Sequence, residues 1–199
     1  MQKRHFLNAT LAGALTGAVA APSWAAQSTR KTPAGPTLLT VSGRIGAGNR
    51  GPLNPALDQM MAKQKVTFDK AQVFDFAALT ALPAVSIAPT LEYDGKPHTL
   101  KGPLLLTLLR ACGVQVSDKT TIFLRAVDGY AAQISAAEAD KYRFIVATHL
   151  DGQPMALGGL GPLWALYDAD RFADMAAKPL SARFGNCPWA TYHIEVKEG

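Results

Sequence analysis

Cysteine, histidine and concentrated charge are all scarce in this 199-residue chain. Two cysteines exclude a disulfide scaffold and a four-cysteine zinc site. The four histidines never fall at His-x-x-x-His spacing, and no Cys-x-x-Cys occurs, so no metal is signalled by ligand spacing. There is no Gly-x-Ser-x-Gly elbow, which leaves serine-hydrolase chemistry without support. Lys and Arg total 20 against 15 Asp and Glu, but no four cluster together. A nucleic-acid partner would need a concentrated basic face, so none is expected. Beyond residue 25 no apolar run is long enough to span a bilayer. The 17 Gly and 13 Pro are scattered rather than periodic, which excludes a collagen-like chain.

What is present is one domain's worth of foldable sequence. Hydrophobic residues make up 48% and charged residues 18%, enough apolar side chain to offset the entropy of ordering. Residues 1–25 read as a cleavable export signal. Lys3 and Arg4 lead an Ala-rich apolar run from Phe6 to Ala21, and Ser23-Trp24-Ala25 supplies small residues around a cleavage point. Gln2-Lys3-Arg4-His5-Phe6-Leu7-Asn8 fits a general secretory signal and also resembles a twin-arginine signal with Lys in place of the first Arg. Those residues hold two of the basic side chains and no acidic one, so the remainder carries a net charge of +3 instead of +5. The expected location is the periplasm or the medium outside the cell. Residues 26–36 read as a polar, Pro-rich flexible leader and 37–199 as a single domain.

Along that domain, Leu38–Ile45 looks like a strand, followed by a Gly/Pro/Asn loop to Pro55. Gln72–Phe74 is a short strand, and Asp75 can cap a helix that Pro83 stops. Ala84–Glu92 and His98–Lys101 form a hairpin around Asp94-Gly95. Pro103 is placed in the first turn of a Leu-rich helix ended by Gly113. Strands at Thr121–Val127 and Tyr130–Ile134 flank Asp128-Gly129, and Ser135…Glu138 is a capping box. Phe144–Leu150 turns at Asp151-Gly152, and Leu163–Tyr167 and Trp189–Val196 close the set. The pattern predicts an α+β fold of about eight short strands, mostly antiparallel, with three or four short helices.

Several groups could carry chemistry. Gly46-Ala47-Gly48-Asn49-Arg50-Gly51 matches a dinucleotide-binding fingerprint. Pro52 and Pro55 spoil the helix that must follow, and hairpins replace the alternating strand–helix order such a fold requires. Glu92, Asp94 and His98 cluster at one turn, and His149 and Asp151 flank another; they read as solvated turn residues. Cys112 and Cys187 read as small buried residues, with a bridge between them left open. Trp164, Tyr167, Trp189 and Tyr192 are either core or the wall of a pocket.

From Phe74 to Val196 the order of motifs, from Leu82-Pro83 and Gly102-Pro103-Leu104 through Asp128-Gly129-Tyr130 to Gly161-Pro162-Leu163, resembles the molybdopterin-binding domain of sulfite-oxidase-like oxidoreductases, nearest to small, secreted, single-domain members. The matching pieces are Leu82-Pro83, Gly102-Pro103-Leu104 with Cys112-Gly113-Val114, and Ala126-Val127-Asp128-Gly129-Tyr130. They continue with Ile145-Val146-Ala147, Asp151-Gly152-Gln153-Pro154, Gly161-Pro162-Leu163 and the closing Trp189…Ile194-Glu195-Val196. The resemblance implies curved, mostly antiparallel sheets around a cleft for a pterin cofactor whose molybdenum is held by one cysteine thiolate.

The chain departs from that pattern at the chemistry. The ligating cysteine would stand before Gly102, yet Val85–Glu92 contains none. Trp164 and Pro188 stand where catalytic relatives place Arg and Lys, cations that would face the pterin phosphate or an anionic substrate. Two functions follow as expectations. One is a binding domain for a small molecule or a periplasmic protein partner, and the other is a molybdenum-cofactor oxidoreductase with a non-standard metal site. No catalytic residue and no metal ligand is assigned. The residues expected at a cofactor or ligand are Asn49 and Arg50, through free backbone N–H groups, and Arg125, Asp128 and Tyr130 around the Asp-Gly-Tyr motif. Trp164 is expected as a pocket wall, where Trp164→Ala changes affinity more than stability. Arg183 is expected as a replacement cation on a mobile segment. Ordinary surface or packing roles fit each of them as well.

Overall fold

The computed structural model describes residues 33–198. The expected signal, residues 1–25, and most of the expected leader lie outside the described residues. The described part of the leader is tied down: the Gly35 N–H donates to the Asp75 carboxylate at 2.9 Å.

The architecture is α+β, built from three sheets that are mostly antiparallel. The largest joins β1 (Leu39–Gly43), β2 (Ala71–Phe74), β5 (Thr120–Ala126), β6 (Ala131–Ser135) and β11 (Thr191–Glu198) in the order β2-β1-β11-β5-β6. Its one parallel pair, β1 with β11, joins the two ends of the domain. A second sheet has β3 (Ala84–Ile87), β4 (Leu100–Pro103), β8 (His149–Leu150) and β9 (Gln153–Pro154), in that order. The third pairs β7 (Ile145–Ala147) with β10 (Trp164–Leu166). The strict alternation of buried residues on β5 turns Ile122 and Leu124 toward the main core. The opposite face of that sheet is covered near Tyr192 by Met61 and Val66, which close a small second cluster.

Five short helices decorate the sheets: α1 (Gln59–Lys63), α2 (Phe76–Thr80), α3 (Leu105–Ala111), α4 (Ala136–Lys141) and α5 (Ala173–Ala176). Local chemistry explains their limits. Asp75 caps α2 by accepting from the Ala78 N–H at 2.8 Å, and that bond, with the one from Gly35, lowers its pKa. Ser135 and Glu138 form the expected reciprocal capping box on α4. Gly113, at φ +76°, ends α3. The Gly113 N–H then reaches the Arg110 carbonyl and the Val114 N–H the Leu109 carbonyl, a Schellman closure.

Two local expectations need correction. Pro103 is not in the first turn of α3 but closes β4 opposite Ala84, and α3 starts at Leu105. Proline suits that strand end because its ring nitrogen has no ladder bond to lose. Phe144–Leu150 is not one strand either. It divides at Thr148, so that β7 joins β10 while β8 joins β4 and β9. The chain crosses so close to β4 that a Cβ on Gly102 would lie 2.0 Å from the Val146 carbonyl oxygen. Gly102→Ala is therefore expected to destabilise the fold by about 3 kcal/mol in denaturant unfolding. Gly51→Ala, which meets nothing within 4 Å, should change little.

Candidate functional site

The residues expected at a ligand do not converge as a group. Asn49 and Arg50 brace a loop. Their backbone N–H groups both donate to the Ala71 carbonyl, at 3.0 and 2.9 Å, so those groups do not face an anion. The Asn49 amide pairs with both backbone groups of Val73. The Arg50 guanidinium is bonded to the Asp58 carboxylate and lies 5.2 Å from the Phe68 ring centre. Arg125 on β5 pairs with Glu195 on β11 at 3.0 Å.

Arg183 is pinned by Asp170 at 2.7 Å and by the Lys178 and Ala176 carbonyls, which fixes the segment expected to be mobile. Trp164 is buried at 1% exposure and donates from Nε1 to the Cys187 carbonyl at 2.9 Å, so it is core and not a cleft wall.

Asp128 and Tyr130 do converge. They line a cleft of about 350 Å³ together with Glu92, Tyr93, Cys187 and Trp189. Three parts of the chain build it. The Asp128-Gly129 turn between β5 and β6 is held by the Tyr130 N–H donating to Asp128 at 2.9 Å. The Tyr130 hydroxyl donates to the Gly185 carbonyl and so ties that turn to the opposite wall. The hairpin tip after β3 supplies Glu92 and Tyr93. The segment before β11 supplies Phe184 to Trp189, with Trp164 behind it.

The electrostatics of this cleft are one-sided. Its lining holds two carboxylates, Glu92 and Asp128, and no Lys or Arg. Neither carboxylate is in an ion pair among the described residues. Tyr93 is pushed above the usual phenol range by burial and by Glu92 beside it. Burial holds the Cys187 thiol well above the ordinary range, and the Glu92 charge adds to that, against a bond from the Tyr167 backbone N–H. Cys112 sits outside the cleft at the end of α3, and burial pushes its thiol up to about 12. Both cysteines are free.

The residues do not fit a molybdenum–pterin group. Val85–Glu92 carries no thiol, the one cleft thiol is buried, and the lining offers a phosphate two negative charges in place of cationic donors. Among the described residues no three His, Cys, Asp or Glu stand together as a metal site.

Two constellations escaped sequence reasoning. His98 joins the two acidic turns, with Nδ1 at 2.7 Å from Asp151 and Nε2 at 3.0 Å from Asp94. The Asp94-Gly95 and Asp151-Gly152 turn signals gave their positions, but not that one imidazole would bridge them. Ser42 and His193 lie 2.8 Å apart on the large sheet, both at 0% exposure. Burial brings His193 down to about 4, so this neutral, enclosed pair is a structural bond and not a nucleophile and base.

Trp164→Ala is expected to cost about 4 kcal/mol in denaturant unfolding, whereas Trp189→Ala, at the cleft, should cost about 1 kcal/mol or less. The hydrogen bonds to Asp151 and then Asp94 raise the His98 pKa, and the same bonds lower those of both aspartates. The clip's contribution is therefore full below the unfolded histidine value of 6.5 and fades as pH rises through the raised folded value. It also fades on acidification through the lowered carboxylate values. An NMR titration should show His98 titrating above 6.5, and above its own value in Asp151→Asn.

No family model matches the chain, and no curated protein matches it. Its fold is similar to the crystal structure of the sulfane dehydrogenase SoxCD from Paracoccus pantotrophus, with a TM-score of 0.51 and 11% sequence identity. The likeness covers 81% of this chain and 38% of that one. At that identity it is a likeness of fold, and it agrees with the mixed, mostly antiparallel architecture expected from the sequence. Among the described residues no helix is long and apolar enough to cross a membrane.

Proposed function

We propose that this chain is an exported, molybdopterin-oxidoreductase-like domain that uses its cleft to bind a small molecule, without molybdenum redox chemistry. The sequence resemblance to sulfite-oxidase-like oxidoreductases and the fold likeness to a sulfane dehydrogenase support the domain reading, and the Lys3-Arg4 start with its Ala-rich run supports export. The reading without redox chemistry rests on one observation: the cleft lining holds two carboxylates, Glu92 and Asp128, and no cation, while its single thiol, Cys187, is buried. A pterin phosphate needs cationic donors, and this lining supplies carboxylates instead.

What these residues do is positional. Tyr130 ties the turn after β5 to Gly185, and Trp164 holds the Cys187 carbonyl from behind, so the two walls keep their separation. A preformed cleft binds without first ordering its walls. The second reading, a cofactor-bearing oxidoreductase with a non-standard site, draws on the presence of Cys187 in the lining. A periplasmic protein partner would use the same exposed rim.

Purification from the native compartment of cells proficient in cofactor synthesis, followed by metal and pterin analysis, separates the readings. Clean absence of molybdenum and pterin is expected, and molybdenum near one equivalent would overturn the proposal. A cleft ligand at a hundredfold excess over its Kd should add about 2.7 kcal/mol of stability, seen as a thermal shift lost in Trp189→Ala.

A further inference from the structure

The cleft's lining is specific enough to name a ligand class, on the premise that the cleft binds a small molecule at all. Six large hydrophobic side chains remain exposed in the described structure, and three of them, Tyr93, Tyr130 and Trp189, line this one cleft. Aromatic surface left in water at a single concave place marks a binding site more often than chance exposure. The neighbouring aromatics Trp164, Tyr167 and Phe184 are buried, so the exposed set is not the edge of a loosely packed core.

The charge around these rings has a single sign. Glu92 and Asp128 line the cleft without an ionic partner. No cation lines the cleft, and Arg125 and Arg183 are paired with Glu195 and Asp170. This local negative field occurs in a chain whose formal net charge is +5. Aromatic faces carry partial negative charge, so rings and carboxylates attract the same kind of ligand. A simple metal ion would need oxygen or nitrogen donors in a tight set, which the cleft lacks. An anion would meet repulsion from both carboxylates. A volume of about 350 Å³ suits a compact molecule of few heavy atoms.

We propose that the cleft binds a small organic cation of the ammonium or guanidinium class. Its charge sits between Glu92 and Asp128, and its alkyl groups pack on Tyr93, Tyr130 and Trp189. The buried Cys187 thiol forms part of the floor and takes no part in covalent chemistry.

Calorimetric titration of the folded chain tests this with choline, butylamine and butylguanidinium. Each cation is paired with a neutral analogue of similar shape: 3,3-dimethylbutanol for choline, and butanol for the other two. Inorganic phosphate serves as the anionic control. At least one cation should bind about tenfold or more tightly than its neutral partner, with affinity falling as salt rises. Glu92→Gln and Trp189→Ala should each weaken it about tenfold, while Trp189→Phe, which keeps a ring, should retain most of the affinity. Thermal unfolding of each variant shows whether it is folded, and Trp189→Phe keeps the test decisive if Trp189→Ala is not.

Equal binding of cation and analogue, or binding of phosphate, overturns the cation assignment. So does failure of all three cations. If a neutral compound from a library still shifts the melting temperature in a Trp189-dependent way, the binding function stands and only the ligand class falls. If nothing binds, both fall.

Discussion

One buried hydrogen bond organises the site: the Trp164 indole N–H to the Cys187 carbonyl. Trp164 lies on β10 at the centre of the core, and Cys187 lies on the irregular segment that walls the cleft. That segment has no sheet partner over most of its length, so its backbone groups need other acceptors and donors. They find them around the same anchor. The Ala165 N–H reaches the Pro188 carbonyl, the Thr191 hydroxyl donates to that same carbonyl, and the Tyr167 hydroxyl donates to the Arg183 carbonyl at 2.6 Å. A segment held at so many points to a buried aromatic core acts as a rigid wall.

The second organising feature is how charge is distributed. No basic side chain lines the cleft, and Arg125 and Arg183 are each matched with an acid, which leaves two cleft carboxylates without an ionic partner. The same arrangement accounts for the state of Cys187. Burial and a nearby carboxylate both oppose ionisation, and one backbone N–H does not reverse them. Fold and chemistry thus separate here. The chain has a fold similar to that of a sulfane dehydrogenase, while its cleft is lined by two carboxylates and no cation.

Much of the local structure was legible in the sequence because it depends on neighbouring residues. The Asp75 cap, the Ser135–Glu138 box and the hairpin turns at Asp128-Gly129 and Asp151-Gly152 all involve partners within a few positions. What escaped depends on distant residues. The division of the chain at Thr148 follows from packing against Gly102, about forty-five positions earlier. The parallel pairing of β1 with β11 joins opposite ends of the domain.

The site shows the same divide. Asp128 and Tyr130 were readable through the Asp-Gly-Tyr motif, and Trp189 as one of four late aromatics. Asn49 and Arg50 read as offering free backbone N–H groups, and Arg125 as a ligand residue, because the Ala71 carbonyl and Glu195 are distant in sequence and not visible as partners. Glu92 reads as a turn residue and Tyr93 carries no sequence signal of its own; only the fold brings both to the cleft.

The protonation state of Cys187 tests the central claim most directly. Iodoacetamide labelling of the folded chain from neutral to alkaline pH, read by peptide mass spectrometry, reports its thiolate. The account predicts that Cys187 stays unlabelled until the protein is denatured. Rapid labelling of native Cys187 at neutral pH would reveal an accessible thiolate in the cleft and contradict it.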